Sequence, residues 1–119
     1  MSHILKLEAK LTDVKAVEAA CRRLGLKEPY HGTANIYSGK QTGLVVQLPG
    51  WNYPIVINGE GAVTYDNFNG HWGKIEHLHA LQQAYALEGA KQMAEAQGWA
   101  YSETQLEDGA VEAQLVQYA

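Results

Sequence analysis

From Lys74 to Ala119 the chain reads as one long helix, a glycine stop and two strands joined by an Asp-Gly turn. Apolar and small residues recur at helical spacing from Ile75 to Gln97, about six turns at 3.6 residues per turn. On a helical wheel centred on Tyr85, Leu78, Leu81, Gly89, Gln92 and Ala96 share one stripe, flanked by Ile75 and Met93. A glycine inside a helix costs about 1 kcal/mol relative to alanine, so Gly89 predicts close approach of the helix backbone to a sheet. Leu87 falls on the opposite, alanine-rich side. It reads as a stray surface leucine or as the centre of a self-association or partner face, with a homodimer as the second case. Beyond Gly98, strands over Trp99 to Leu106 and Ala110 to Tyr118 flank Glu107-Asp108-Gly109.

The rest of the chain supplies what this helix covers. Residues 3 to 11 alternate, with Leu5, Leu7, Ala9 and Leu11 on one side, as in a half-buried strand. Thr12 or Asp13 can cap a following helix whose apolar positions are Val14, Val17, Cys21 and Leu24. Arg22 and Arg23 suit its C-terminal end and Gly25 its stop. Short strands follow at Ala34 to Ser38 and Leu44 to Leu48 around the loop Gly39 to Gly43. Another pair, Pro54 to Ile57 and Ala62 to Asp66, flanks Asn58-Gly59-Glu60-Gly61. Asn67 to Gly73 is a polar and aromatic loop. The order is β-α-β-β-β-β-α-β-β, an α+β fold with a largely antiparallel sheet and two helices on one face. It resembles TATA-binding-like and helix-grip folds; a ferredoxin-like core with an inserted hairpin is the competing topology.

At 119 residues the chain fits a single domain over residues 1–119. Nine basic residues against thirteen acidic ones give a net charge of -4. That balance argues against a nucleic-acid binder, which needs a basic face. With one cysteine no intrachain disulfide can form, and Cys21 reads as a small buried hydrophobe. The N-terminus lacks the pattern of a signal peptide, and no stretch is long and apolar enough to span a membrane. A cytoplasmic protein is the expectation.

The ends of the chain resemble a family of uncharacterised proteins from cyanobacteria, algal plastids and some phages. It is domain-of-unknown-function family 1257, which includes the hypothetical chloroplast reading frame 35 product. The likeness rests on Met1-Ser2-His3-Ile4 opening a strand, on Leu24-Gly25 ending the first helix, and on Gln83-Ala84-Tyr85-Ala86 in the second. A glycine, a strand, an Asp-Gly turn and a last strand follow, from Gly98 to Tyr118. It covers residues 1 to 25 and 74 to 118 and is loose between them; members usually carry Arg where this chain has Ala84. The resemblance implies a fold, no established activity, and a protein partner of the AAA-type ATPase kind, since members are often encoded near such ATPases.

Reactive chemistry is thin. Gly39-Lys40-Gln41-Thr42 resembles a phosphate loop but lacks the Ser or Thr after the lysine, the earlier glycine and the following helix. His77 and His79 splay apart on a helix, and no His-x3-His spacing exists, so no metal or other cofactor is expected. Asp66 and Glu60 are too little for acid-base work. Trp51, Tyr53, Tyr65, Phe68, His71 and Trp72 concentrate in the middle, with Tyr30 and Tyr37 upstream. They are the candidate binding surface, set against the alternative of ordinary core and loop anchoring. The sequence therefore points to a non-enzymatic binding or accessory protein acting on a protein partner. The alternative is a small-ligand binder, or an enzyme, with a pocket between sheet and long helix.

Overall fold

Two short strands, Ile55–Ile57 and Val63–Tyr65, are buried along their whole length and centre the architecture. The computed structural model describes residues 5–7 and 10–117, with side chains from Lys10 onward. The Met1-Ser2-His3-Ile4 opening, Ala9 and Tyr118 lie outside the described residues. The elements are β1 (Leu5–Leu7), α1 (Val14–Arg23), β2 (Tyr30–Asn35), β3 (Lys40–Val46), β4 (Ile55–Ile57), β5 (Val63–Tyr65), α2 (Ile75–Gln97), β6 (Ala100–Gln105) and β7 (Val111–Val116), with one 3-10 turn at Phe68–Gly70. The α+β class and the β-α-β-β-β-β-α-β-β order are those the sequence predicts.

The first five strands form one antiparallel sheet in the order β1-β5-β4-β3-β2. β1 lies at an edge of that sheet, so the ferredoxin-like alternative, with its split βαβ pairing, is not formed. Register puts Leu44, Val46, Ile55, Ile57, Val63 and Tyr65 on one face. Both helices cover that face, through Val17, Ala20 and Cys21 of α1 and Leu78, Leu81 and Ala84 of α2. Burial of this apolar surface is the main source of stability, at roughly 25 cal/mol per Å².

Sequence chemistry sets the helix ends. Asp13 caps α1, its Oδ1 accepting from the Lys15 and Ala16 amides at 3.0 and 3.3 Å. The buried seam of α1 is Ala16, Val17, Ala20 and Cys21; Val14 and Leu24, expected on it, are exposed. α2 ends at Gly98 in the left-handed region, φ 73°, where Trp99 N bonds Ala94 O at 2.8 Å.

Two expectations for α2 are overturned, while Tyr85 packs against the core as its place on the wheel predicts. Leu87 is buried, so it is neither a stray surface leucine nor a homodimer face. The reason is that α2 has two partners along its length. Its N-terminal half packs on the sheet and α1, while Leu87 and Ala94 are buried outside that core where the C-terminal half meets β6 and β7. The buried stripe therefore turns around the helix, which a single wheel cannot represent. Gly89 makes no close approach, since a Cβ there would meet nothing within 4 Å. Tyr85 is half-buried, and its hydroxyl accepts from the Asp13 amide at 3.1 Å, tying α2 to the start of α1.

The last two strands do not join the main sheet. β6 and β7 form a separate two-stranded hairpin with Tyr101 opposite Leu115 and Glu103 opposite Ala113. The hairpin between β2 and β3 is also shifted. Its turn is Ile36 to Gly39, closed by Ile36 N to Gly39 O at 3.0 Å, and Gly43 lies within β3 opposite Gly32.

Candidate functional site

The six aromatic-region residues divide into two groups on either side of the loop before α2. Trp51 and Tyr65 belong to the core, 5 % and 3 % exposed, with ring centroids 5.7 Å apart in an edge-on arrangement. Trp51 Nε1 donates to Lys74 O at 3.1 Å, which satisfies the buried indole. Gly73 makes room for that ring, because a Cβ there would lie 2.4 Å from it. Burial pushes the Tyr65 hydroxyl above its ordinary pKa, keeping it neutral.

Tyr53, Phe68, His71 and Trp72 come together elsewhere, and Tyr37 joins them. Trp72 is the hub. Its ring lies 4.9 Å from Tyr37, 5.5 Å from Tyr53 and 4.8 Å from Phe68, the last stacked, with His71 5.1 Å from Phe68. Tyr37 is 60 % exposed, and Tyr53, Phe68 and Trp72 are half-buried, so the cluster caps the surface. Tyr37 and Phe68 both adopt positive φ, 74° and 47°, as does Asn69 at 53°. Bulky side chains avoid this region, at a cost of roughly 1–2 kcal/mol each.

Buried Asp66 holds the cap together. Ser38 donates to its Oδ2 at 3.0 Å and the Phe68 amide to its Oδ1 at 3.1 Å, so one carboxylate ties the turn bearing Tyr37 to the loop bearing Phe68. Asn52 N donates to Trp72 O at 2.8 Å and adds the third segment. No histidine is hydrogen-bonded to Ser38 or Asp66 among the described residues, so the pair is a tie and not a nucleophile with its base.

Beside the cap, an open groove of about 470 Å³ lies between the end of β5 and the start of α2, lined by Tyr65, Asn67, Lys74, Ile75 and Glu76 among others. A smaller one of about 270 Å³ adjoins it through Gly70 and Lys74 and carries His71 and His77. Among the described residues no three His, Cys, Asp or Glu side chains are grouped to hold a metal ion.

A third cleft, about 670 Å³, separates α1 and α2 from β6. Three of its charged residues, Arg23, Glu88 and Glu103, pair with one another. Arg23 makes a two-pronged contact with Glu103, Nη1 to Oε2 at 2.8 Å, and reaches Glu88 at 3.2 Å. The Tyr101 hydroxyl lies 2.6 Å from Glu103 Oε2 and 3.2 Å from Leu87 O. The Arg23 and Tyr101 hydrogen bonds pull Glu103 down to about 2, and the Glu103 hydrogen bond chiefly raises Arg23. Burial, then Glu103, pushes Tyr101 up to about 12. This network latches the hairpin to the helices. Cys21 is equally unreactive, its thiol pushed up to about 11 by burial and by the Glu28 charge.

No family model, curated protein or solved structure matches the chain. No helix is long and apolar enough to cross a membrane among the described residues.

Proposed function

We propose that this is a non-enzymatic binding protein that engages a protein partner through the cap formed by Tyr37, Tyr53, Phe68 and Trp72. One observation carries the reading: two bulky aromatics are held at unfavourable positive φ, and both lean on the same exposed-side tryptophan. The core does not need them, since Trp51 and Tyr65 fill the interior without strain of that kind. Strained backbone that the fold does not require is characteristic of binding surfaces, and Tyr and Trp are the residues that dominate interface energetics. The likeness of the chain ends to family 1257 favours an AAA-type ATPase as the partner, in a cytoplasmic setting. The second reading, a small ligand between sheet and long helix, would use the open groove at the start of α2.

The test is co-purification from the native host with the wild type and with a Tyr37→Ala, Trp72→Ala double variant. The wild type should enrich one protein at constant stoichiometry, and the folded variant should lose it. Equal recovery by both would overturn the cap as the binding surface.

A further inference from the structure

β2 ends the strand order β1-β5-β4-β3-β2, so one of its edges pairs with no described strand. The turn bond from Ile36 N to Gly39 O fixes which of its residues face that edge. Opposed residues in an antiparallel ladder bond one another at alternate positions. With Ile36 bonded to Gly39, it is Ala34, Gly32 and Tyr30 that bond β3. His31, Thr33 and Asn35 therefore turn their N–H and C=O groups outward, and none of these makes a backbone bond to another described residue. β1 lies at the opposite edge, about 19 Å across the sheet at the usual strand spacing.

Open edges invite pairing, and proteins blunt them with charge, proline, bulges or brevity. The other edge strands are blunted in this way. β1 is three residues long with Lys6 at its centre, β6 carries Glu103 and β7 carries Glu112. β2 has none of these devices. Its six residues include no Lys, Arg, Asp, Glu or Pro, and its register with β3 runs unbroken.

We propose that β2 pairs with β2 of a second copy of this chain, antiparallel and centred on Thr33. Self-complementarity favours a second copy over an unrelated strand. A two-fold axis at Thr33 sets it against Thr33 of the second copy, and sets His31 against Asn35 of that copy. Every outward N–H and C=O of both strands then has a partner. Threonines facing each other across a ladder are a favourable pair, and no like charges meet at the axis because the strand carries none of the four charged residue types. Gly32 meets Ala34 of the second copy, small against small. The Tyr30 ring, 57 % exposed, lies over Gly32, where an added Cβ would be 3.1 Å from it, and so adjoins that alanine. Each copy has one β2 edge, so the pairing closes at two. The inference goes beyond capture through the cap and stands without it.

The experiment is sedimentation equilibrium of the whole chain from about 10 µM to about 1 mM, a range over which mass action draws out a weak dimer. The apparent mass should rise from 13.1 kDa toward twice that value and stop there. Amide hydrogen exchange followed by NMR gives the residue-level readout. The His31, Thr33 and Asn35 amides should exchange more slowly as concentration rises, while those of Gly32 and Ala34, bonded to β3, should not respond. Thr33→Lys sets two ammonium groups face to face and should weaken the dimer at least about tenfold. The site is exposed, so the monomer should keep its thermal midpoint. Thr33→Val, which keeps the ladder, should retain the dimer, and Thr104→Lys, the same charge on β6, should leave it unchanged. A mass fixed at 13.1 kDa with exchange independent of concentration would overturn the proposal. So would a dimer indifferent to Thr33→Lys, assembly that grows past two copies, or protection of the three amides only in complex with another protein.

Discussion

Two aromatic clusters only a few residues apart in sequence serve opposite ends. The Trp51 and Tyr65 rings meet inside the core, unstrained at the backbone, with the indole hydrogen-bonded and Gly73 cleared away to admit it. The rings around Trp72 meet at the surface, two of them on strained backbone, tied by one buried carboxylate. The first cluster stabilises the fold, and the second is held by the fold. The same residue types thus do different work according to which side of the loop before α2 they occupy.

The largest effect that would test this contrast is Trp51→Ala. It should cost about 3–5 kcal/mol in urea unfolding, the usual penalty for emptying a buried tryptophan site, which would leave a domain of ordinary stability barely folded. Trp72→Ala should cost far less while abolishing partner capture. If the two variants lost equal stability, the cap would be a second core. Next comes Asp66→Ala. It strands the Ser38 hydroxyl and the Phe68 amide, so about 1–3 kcal/mol should be lost, together with the ordering of the Tyr37 turn, visible as narrowed aromatic shift dispersion. Asp66→Asn, which can still accept from Phe68 and pair with Ser38, should recover most of it.

The hairpin latch supplies a control that touches neither cluster. The hydrogen bonds from Arg23 and Tyr101 hold Glu103 down to about 2, well below the ordinary glutamate value of 4.5. A depressed carboxylate contributes stability that is present above its unfolded value and fades as pH falls toward the folded one. The latch should therefore weaken between about pH 4.5 and 2. Arg23→Ala should remove about 1 kcal/mol at neutral pH, a modest figure because these side chains are partly solvated, and should flatten the acid dependence over that window. Hydrogen exchange would then quicken in β6 and β7 and stay slow at Trp51 and Tyr65.

How much of this was legible in the sequence depends on how many partners each residue has. α2 runs from Ile75 to Gln97 as its periodicity and Gly98 predict, because those signals are local. Leu87 was misplaced because a single wheel assumes one partner, and the helix has two. Tyr65 was readable as core: it shares strand parity with Val63, on the face the helices cover. Trp51 lies in a loop, where no parity exists. Tyr37, named with the aromatics, is read as part of a strand because the glycines at 39 and 43 suggest the turn. The chain instead places Tyr37 itself at positive φ and pairs Gly43 with Gly32, and Thr33 meets Thr42 at 2.7 Å across the ladder.

The smallest expected change in stability is also the sharpest test of the contrast. Tyr37→Gly removes a ring that lies 4.9 Å from Trp72 and 6.0 Å from Tyr53, a loss of about 0.5–1.5 kcal/mol for each aromatic pair. The same change relieves a positive φ of 74°, which glycine adopts freely, for a gain of roughly 1–2 kcal/mol. The two terms nearly offset, so the unfolding free energy should change by less than about 1 kcal/mol. Partner capture should fall at least tenfold, since the most exposed ring of the cap is gone. A loss of stability well beyond that bound would mean that the turn needs its tyrosine for folding, and that the strain at residue 37 serves the fold after all.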